Sequence, residues 1–539
     1  MVREGQGQEL GFRKRGGLFS CVAMGLPLVP GITLATGGVP PRADVTLAPL
    51  FADHAVLQRE KPVRIWGRAA PGERVTVRFG GATAAAVADS NGRWIAELPA
   101  MPADAAGREL VVSGRNTLRV RDVVVGELWL CSGQSNMEFR MFDPTGNVYH
   151  VKNAAAEAAE AHFPLIRQFA VERQISETPA DSVHGSWTPC DPQSVRQFTA
   201  VGYFFSREIF RQLGVPIGII NDAWGGTPVE SWMSKEALAS NPVFAAVGER
   251  WQRAVMDYPA KKAEYDAAKE RWDRDEAAAA AAAEARHAAF LKQDPMPWPP
   301  GGPGSEYTPT VLFNGMIHPI LPFAIRGVLW YQGESNTDRP AEYHALFAAM
   351  IRSWRARFAQ GDIPFFWVQL ANFNDPNDAT GQGWAFLREA QSRTLSLPET
   401  GQAVAIDIGD PDDIHPKNKQ EVGRRLALIA MAKAYGMAVD YSGPVFDGVA
   451  VEGDAMRVRF RFAEKGLIAS HTPLRSFELA GADRIFRPAS AVISGDTVVV
   501  QSPDVPAPVA VRYAWRDAPE ADLSNGSGLP AAPFRSDAW

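Results

Sequence analysis

The stretch VVVGELWLCSGQSNME, residues 123–138, decides how the chain is expected to fold. Its apolar residues from Val123 to Leu130 form a run that is typical of a buried β-strand. The run then breaks into Ser, Gly, Gln, Ser and Asn, a composition that favours a turn. Because α/β proteins place ligand-binding groups just beyond the carboxyl ends of buried strands, Ser135 is the first candidate functional residue.

Further apolar segments follow this stretch and alternate with helical patterns. The segments with strand character are Val123–Leu130, Ile217–Asn221, Ile325–Tyr331, Phe365–Leu370 and Val404–Ile408. The segments with helical periodicity are Gly202–Leu213, Tyr343–Phe358 and Lys417–Tyr435. Such alternation predicts an α/β fold with a parallel sheet that is covered by helices.

Two regions of β character flank the alternating segments, and one helical segment interrupts them. Residues 45–121 contain short runs separated by Pro-Gly, Gly-Gly and Asn-Gly turns, which predicts a small β-sandwich. The β pattern returns in residues 437–539. Residues 234–300 are rich in alanine and charge and predict an exposed helical insertion within an α/β domain of residues 122–436.

The amino-terminal residues 1–44 have the order of a secretory signal and a linker. A basic group, Arg13-Lys14-Arg15, precedes an apolar stretch, and small residues and prolines follow. No other apolar run reaches membrane-spanning length, so we expect a secreted or periplasmic protein without a membrane partner. The formal net charge of −6, without a long basic block, argues against nucleic-acid binding.

The cysteine content does not indicate a disulfide framework. With Cys21 in the signal, only Cys131 and Cys190 remain in the mature chain. They either pair or stay as buried thiols.

Four polar clusters follow the predicted strands. They are GQSN around Ser135, NDAWGGTPVESW at residues 221–232, WYQGESN at residues 330–336 and DIGDPDDIHP at residues 407–416. The carboxyl ends of parallel strands lie along one edge of a sheet, so we expect the clusters to meet there.

The first and fourth clusters together contain the parts of a serine hydrolase. A serine hydroxyl needs a base to take its proton, and an imidazole oriented by a carboxylate supplies one. Asp412 and His415 are three residues apart, a spacing that places both side chains on one face of a turn. The sequence therefore predicts Ser135, Asp412 and His415 as the catalytic residues, with Asp413 as the rival carboxylate.

The second and third clusters offer donors for an oxyanion hole. The backbone N–H of Ser135 is one predicted donor, and the pair Gly225-Gly226 allows a second N–H to approach closely. Gln332 or Asn336 would add a side-chain amide.

Other catalytic classes lack parts. GQSNM has no second glycine of the G-x-S-x-G elbow, and the chain has no H-E-x-x-H, C-x-x-C or Walker A motif. Glu138, Glu230 and Glu334 leave a two-carboxylate glycosidase as an alternative. A second alternative is a non-catalytic carbohydrate-binding protein.

The four clusters resemble the conserved blocks of a known family. GELWLCSGQSNM, AWGGTPVESW, GVLWYQGESN and DIHPKNKQEVGRRLA are similar, in this order, to the sialate O-acetylesterase-like family of SGNH hydrolases. The resemblance implies a three-layer α/β/α, flavodoxin-like core with accessory all-β domains. It also implies Ser135 as the nucleophile and Asp412 with His415 as the DxxH pair. In the oxyanion hole it implies a glycine at Gly225 or Gly226, of which we take Gly226, and it favours Gln332 ahead of Asn336.

The resemblance implies a carbohydrate O-acetylesterase that works through an acyl-serine intermediate. We expect a monomer that needs no metal or organic cofactor. Its substrate would be an acetylated plant cell-wall oligosaccharide such as xyloglucan or xylan, or alternatively an O-acetylated sialic acid. For a sialate carboxylate, Arg140 and Arg339 are the candidate partners.

Overall fold

The first described part of the chain folds into short β-strands, because its apolar and polar residues alternate with a period of two. The structure, a computed structural model, describes residues 44–142, 150–286 and 299–539. The predicted signal and linker of residues 1–44 lie outside these ranges, apart from residue 44. The strands that precede the central sheet are β1 (Thr46–Leu47), β2 (Val56–Gln58), β3 (Val63–Arg68), β4 (Arg74–Phe79), β5 (Ala82–Val87), β6 (Arg93–Leu98) and β7 (Asp104–Ser113).

Strand β8 (Thr117–Gly133) is 17 residues long and joins these strands to the central sheet. Its first part pairs antiparallel with β7, and its second part, from residue 127 onwards, runs parallel to a strand on each side. The predicted boundary between residues 121 and 122 therefore falls inside one continuous strand. The buried apolar residues of the two regions also form one cluster, so the division into domains stays a prediction.

The central sheet is mixed rather than purely parallel. Its other strands are β9 (Phe163–Val171), β10 (Gly185–Cys190), β11 (Ile217–Ala223), β12 (Gly327–Tyr331), β13 (Phe365–Val368) and β14 (Thr400–Ala403). The order is β10-β9-β11-β8-β12-β13-β14, in which only β10 pairs antiparallel with its neighbour. The predicted parallel sheet is thus corrected at one edge, where β10 carries Pro189, a residue that edge strands tolerate.

The strand order reverses at β8. Strands β9 and β11 lie on one side of β8, whereas β12, β13 and β14 lie on the other. Such a switch point opens a crevice beyond the carboxyl ends of the strands. Gly133 at the end of β8 is in register with Ala223 of β11 and Tyr331 of β12. The first three polar clusters therefore follow three adjacent strands.

Helices cover both faces of this sheet. The helices of the described residues are α1 (Ser135–Glu138), α2 (Ala154–Ala159), α3 (Ala200–Leu213), α4 (Lys235–Ala239), α5 (Ala245–Arg286), α6 (Pro340–Phe358), α7 (Gly383–Arg393) and α8 (Lys419–Lys433), of which α5 belongs to the insertion described below. Short 3₁₀ turns form at Ser194–Gln197, Val229–Trp232, Pro242–Phe244, His318–Ile320, Glu334–Asn336 and Thr394–Ser396, with a π turn at Phe313–Ile317. On one face Trp129 of β8 contacts Phe205 of α3, with ring centroids 5.0 Å apart. On the other face Trp330 of β12 packs against Phe347 and Trp354 of α6.

The predicted strand Val404–Ile408 does not belong to the sheet, which is a correction. The strand at this place is β14, and it ends at Ala403. The carbonyl oxygen of Val404 accepts a hydrogen bond from Arg425 Nη1, and Ile406 is buried among residues of the carboxyl-terminal β region. These contacts hold residues 404–406 outside the sheet. The fourth polar cluster, residues 407–416, therefore follows a loop and not a strand. The other four predicted strands overlap β8, β11, β12 and β13.

The predicted helical insertion begins with α4 and continues with the 42-residue α5. Most side chains of α5 up to residue 275 are exposed, and pairs such as Lys262 with Asp266 bridge successive turns at 2.7 Å. These features agree with a solvated helix. Residues 287–298 of the insertion lie outside the described ranges.

The carboxyl-terminal region is the second accessory β region that the sequence predicts. Its strands are β15 (Val445–Glu452), β16 (Ala455–Arg461), β17 (Leu467–Ala469), β18 (Leu474–Ala480), β19 (Phe486–Ser494), β20 (Thr497–Gln501), β21 (Ala510–Tyr513), β22 (Leu523–Asn525) and β23 (Phe534–Arg535). Seven of them form one antiparallel sheet in the order β15-β16-β20-β19-β18-β21-β23, and β17 pairs with β22. This region has its own apolar cluster.

Cys131 and Cys190 are both buried free thiols, so the alternative of a disulfide between them does not hold. Burial raises the pKa of both thiols, which makes them unreactive. Within the described ranges, no helix combines the length and the apolar character that a membrane span requires.

Candidate active site

Ser135 occupies the first position of α1, directly after the tight turn that ends β8. Gly133 makes this turn possible, because it has a φ of +135° and a Cβ there would lie 2.2 Å from the carbonyl oxygen of Tyr331. Ser135 is partly exposed, whereas its neighbour Ser132 is fully buried. The structure thus presents Ser135, and not Ser132, at the carboxyl edge of the sheet.

The glycine loop after β11 lies against Ser135. A Cβ on Gly225 would be only 3.3 Å from Ser135 Cβ, so no larger residue fits there without a shift. The Gly225 N–H donates to Glu138 Oε2 at 2.8 Å. Gly226 has a φ of +77°, and its N–H meets no acceptor among the described residues. The N–H of Ser135, at the start of a helix, also has no partner within that helix.

Gln332 and Asn336, the predicted side-chain donors, are fully buried and committed to other acceptors. Gln332 Nε2 donates to Asn336 Oδ1 at 2.7 Å and to the carbonyl oxygen of Thr227 at 3.3 Å. Asn336 Nδ2 donates to Glu230 Oε2 at 2.9 Å, and its Oδ1 accepts the N–H of Val229. Both amides therefore hold the segment that follows the glycine loop.

His415 lies in the loop before α8, beside Asp413 rather than Asp412. Asp413 Oδ1 accepts the backbone N–H of His415 at 2.9 Å and lies 4.0 Å from its Nδ1. Asp412 is exposed, and its own N–H donates to Asp410. Across the described residues, no hydrogen bond or ion pair joins Asp412 to His415. The structure thus brings Asp413 to the imidazole, whereas the role of Asp412 stays a prediction.

A buried hydrogen-bonded network connects the loop that carries Ser135 to the histidine loop. Asn136, the residue after Ser135, donates from Nδ2 to Glu334 Oε1 at 2.6 Å and to the carbonyl oxygen of Ile414 at 3.0 Å. Its Oδ1 accepts a hydrogen bond from Lys419 Nζ. One side chain therefore joins three of the four polar clusters, and it fixes the residue before the histidine relative to the nucleophile.

The electrostatic surroundings keep His415 neutral. Burial is the largest cause that lowers the pKa of His415, to about 4, and the Lys419 ammonium lowers it further, against the opposing effect of Asp413. Lys419 Nζ lies 4.7 Å from the ring centroid of Phe139, and the same ring is 6.3 Å from the imidazole. A neutral imidazole is the form that accepts a proton from a serine hydroxyl.

The sequence did not indicate Lys419 and Asn136 as site residues. Lys419 is completely buried, and burial lowers its pKa to about 7. Burial also raises the pKa of Glu334, the carboxyl group at the other end of the network. The one signal in the sequence is position, since Asn136 lies inside the first polar cluster and Lys419 follows the fourth by three residues. A lysine, by contrast, ordinarily predicts a solvated surface.

The three glutamates of the glycosidase alternative are each held by a separate partner. Glu138 accepts hydrogen bonds from Arg173, whose guanidinium lies 5.3 Å from the Trp224 ring centroid. Glu230 pairs with Arg339 at 2.9 Å, and Glu334 accepts from Asn136. No hydrogen bond in the described structure joins two of these carboxylates.

The two arginines that the sequence indicated for a sialate carboxylate differ in their surroundings. Arg339 is paired with Glu230, and Arg140 is exposed and donates to Gln197 Oε1 at 2.8 Å. As for metals, the residues that the structure describes contain no group of three or more His, Cys, Asp and Glu side chains that would suit an ion.

Comparison with known proteins shows the family to which the chain belongs. Residues 125–263 and 298–432 match the family described as "Carbohydrate esterase, sialic acid-specific acetylesterase". These ranges contain all four polar clusters, and the gap between them falls within the helical insertion.

Relatives of known name cover most of the chain. Rat sialate O-acetylesterase is 28% identical over 531 residues, with 89% of this chain and 92% of the rat protein aligned. The human sialate O-acetylesterase is 29% identical, with 89% and 90% aligned. A crystal structure of a carbohydrate acetylesterase from Xanthomonas citri is 39% identical, with a TM-score of 0.76 over 92% of this chain and 100% of that one.

Proposed function

The chain belongs to the sialic acid-specific acetylesterase family of carbohydrate esterases, and from this we propose that Ser135 is its nucleophile. The enzyme is an ester hydrolase that acts on acetyl groups. In the proposed reaction Ser135 Oγ attacks the acetyl carbonyl carbon while His415 takes the hydroxyl proton. The observation that carries this proposal is the hydrogen bond from Asn136 to the carbonyl oxygen of Ile414, because it ties the nucleophile to the residue before His415.

The collapse of the tetrahedral intermediate breaks the bond between the acetyl carbon and the sugar oxygen, and His415 returns the proton to that oxygen, so the sugar leaves with a free hydroxyl. A water molecule then gives a proton to His415 and attacks the acyl-serine. His415 passes this proton to Ser135 Oγ as acetate leaves, which restores Ser135. Burial and the charge of Lys419 support this role, because they favour the neutral imidazole before it takes a proton from Ser135 or from water.

The orienting carboxylate has two candidates. The DxxH spacing supports Asp412, whereas the contact with Nδ1 at 4.0 Å supports Asp413. For the oxyanion hole we propose the backbone N–H groups of Ser135 and Gly226, since neither has another acceptor among the described residues. Gln332 and Asn336 would support this hole indirectly, through the loop that they hold.

The substrate that we propose is an acetylated plant cell-wall oligosaccharide such as xyloglucan or xylan. The X. citri relative, at 39% identity, is described as a carbohydrate acetylesterase, and the mammalian sialate O-acetylesterases are 28–29% identical. O-acetylated sialic acid is the second candidate, supported by the names of those mammalian relatives. The helices on both faces of the sheet support an SGNH-type, flavodoxin-like core, and the amino-terminal pattern supports secretion or a periplasmic location.

Acetate release distinguishes these proposals. Wild type and Ser135→Ala are incubated with O-acetylated xylan oligosaccharides, xyloglucan oligosaccharides and O-acetylated sialic acid, and the free acetate is measured. We expect release from the neutral oligosaccharides that the substitution abolishes. Release from sialic acid alone would overturn the proposed substrate, and equal rates for the two proteins would overturn the role of Ser135. Cleavage of glycosidic bonds without acetate would instead support the two-carboxylate alternative.

A further inference from the structure

A cavity of about 300 Å³ opens beside the glycine loop that follows β11. Gly226 and Ser335 are among its lining residues, and Ser335 Oγ donates to the Gly226 carbonyl oxygen at 2.8 Å. Because Gly225 packs against Ser135, the cavity begins close to the nucleophile. A substrate whose acetyl group reaches Ser135 would therefore extend another part of its structure into this cavity.

Two aromatic side chains, Trp251 and Tyr307, also line the cavity. Trp251 lies in the second turn of α5, and Tyr307 lies in the segment that follows the helical insertion. The Tyr307 hydroxyl oxygen is 3.3 Å from the point that a Cβ on Gly226 would occupy, so Tyr307 reaches the glycine loop. Both residues are half-buried, and aromatic rings in such positions combine an apolar face with a polar edge.

The charged side chains that line the cavity are each paired with a group of opposite charge. Arg339 Nη2 donates to Glu230 Oε1 at 2.9 Å, and Arg250 donates to both carboxylate oxygens of Glu342, which does not itself line the cavity. Arg250 also lies 3.8 Å from Glu230. Each guanidinium group thus already has a carboxylate partner, and the wall offers hydrogen-bond donors and acceptors to a neutral ligand.

We propose that this cavity binds an uncharged pyranose ring of the acetylated oligosaccharide. The inference rests on the proposed function and adds a sugar subsite to it. Aromatic rings pack against the C–H face of a pyranose, and paired guanidinium and carboxylate groups hydrogen-bond its hydroxyls. A volume at the small end of the range for ligand cavities suits one ring.

The same wall disfavours a sialic acid. The carboxylate of that sugar would meet Glu230 and two arginines that are each already paired with a carboxylate, so it would find no cation of its own. Moving a carboxylate out of water without a compensating charge is unfavourable. The cavity therefore distinguishes neutral sugars from acidic ones by charge, and it does so away from the reacting ester.

The test compares a substrate that has a sugar with one that has none. Trp251→Ala, Trp251→Phe and Tyr307→Ala are assayed with an O-acetylated xylan oligosaccharide and with 4-nitrophenyl acetate. We expect the ratio of kcat/KM for the oligosaccharide to kcat/KM for 4-nitrophenyl acetate to fall about tenfold or more in the alanine variants, mainly through KM. Trp251→Phe, which keeps an aromatic face, should lose less. Met256→Ala is the matched control, because Met256 lies on the same helix and is 71% exposed.

The outcomes separate this inference from the proposed function. An unchanged ratio in the alanine variants would overturn the subsite, and so would an equal loss on both substrates. Failure of the wild type to release acetate from any sugar would instead overturn the proposed function. Glu342→Gln tests the charge argument, since it removes the carboxylate that Arg250 hydrogen-bonds and leaves only Glu230, at 3.8 Å, near this guanidinium. We expect it to raise the activity on O-acetylated sialic acid relative to the neutral oligosaccharide, and an unchanged preference would contradict the argument.

Discussion

Replacement of Lys419 by methionine is expected to move the acid limb of the pH–rate profile to higher pH. Lys419 is fully buried, and its ammonium and the imidazole of His415 both lie near the ring of Phe139. A positive charge there disfavours a second positive charge on His415. Methionine keeps the length and the apolar contacts of the lysine side chain and removes its charge.

The size and sign of the shift follow from the causes that act on His415. Burial and Lys419 lower the pKa of His415 from 6.5 to about 4, and Asp413 opposes them. Burial is the largest cause, so Lys419 accounts for only part of this lowering. Only the neutral imidazole accepts the serine proton, so activity rises with pH through this pKa. Loss of the Lys419 charge raises the pKa, and the acid limb then moves up from about pH 4 but stays below 6.5, because the effect of burial remains. Lys419 is itself charged at these acidic pH values, because its own pKa is about 7.

The assay is kcat/KM for 4-nitrophenyl acetate as a function of pH. The lost hydrogen bond to Asn136 is expected to lower the plateau, and the position of the acid limb reports the charge separately. Lys433→Met on the same helix is the matched control, because Lys433 is exposed. An acid limb that stays at the wild-type pH in Lys419→Met would refute the electrostatic coupling.

Three further predictions concern single residues. Of the variants Asp412→Asn and Asp413→Asn, the one that removes the orienting carboxylate should lower kcat by orders of magnitude. Equal wild-type rates in both would exclude an aspartate in this role. Asn336→Ala should lower the free energy of unfolding by about 1–3 kcal/mol, because it leaves buried partners without a hydrogen bond, and a denaturant titration measures this loss. Gly133→Ala should yield little folded protein in circular dichroism, because its Cβ would lie 2.2 Å from a carbonyl oxygen; a wild-type melting temperature would contradict the account of this turn.

The sequence predicts the centre of the sheet because the determining pattern there is local. A buried apolar run followed by small polar residues suffices to predict β8 and the turn before Ser135. Strand β9 is different, since it buries Arg167 and Gln168. Arg167 reaches the carbonyl oxygen of Asp122, and Gln168 reaches Thr199. These partners are distant in sequence, and no window of residues around β9 reveals them.

In the candidate site, too, some residues can be predicted from local sequence and others depend on tertiary contacts. Ser135 and His415 stand out because few residue types perform their chemistry. Lys419 does not, because its burial results from packing against Phe139 and Tyr331, which only the folded chain brings together. The amide of Gln332 fits an oxyanion donor by type, but its actual acceptors are fixed by the tertiary structure.

The central claim is that Ser135 forms the acyl intermediate with His415 as its base. Its most direct test is peptide mass spectrometry of the enzyme after brief incubation with an activated acetyl ester and acid quenching. We predict an acetyl group on the peptide that contains Ser135, assigned to Ser135 and not to Ser132, and its loss in His415→Ala. Acetate release by the wild type without any acetylated Ser135, or with the acetyl group on another residue, would contradict the claim.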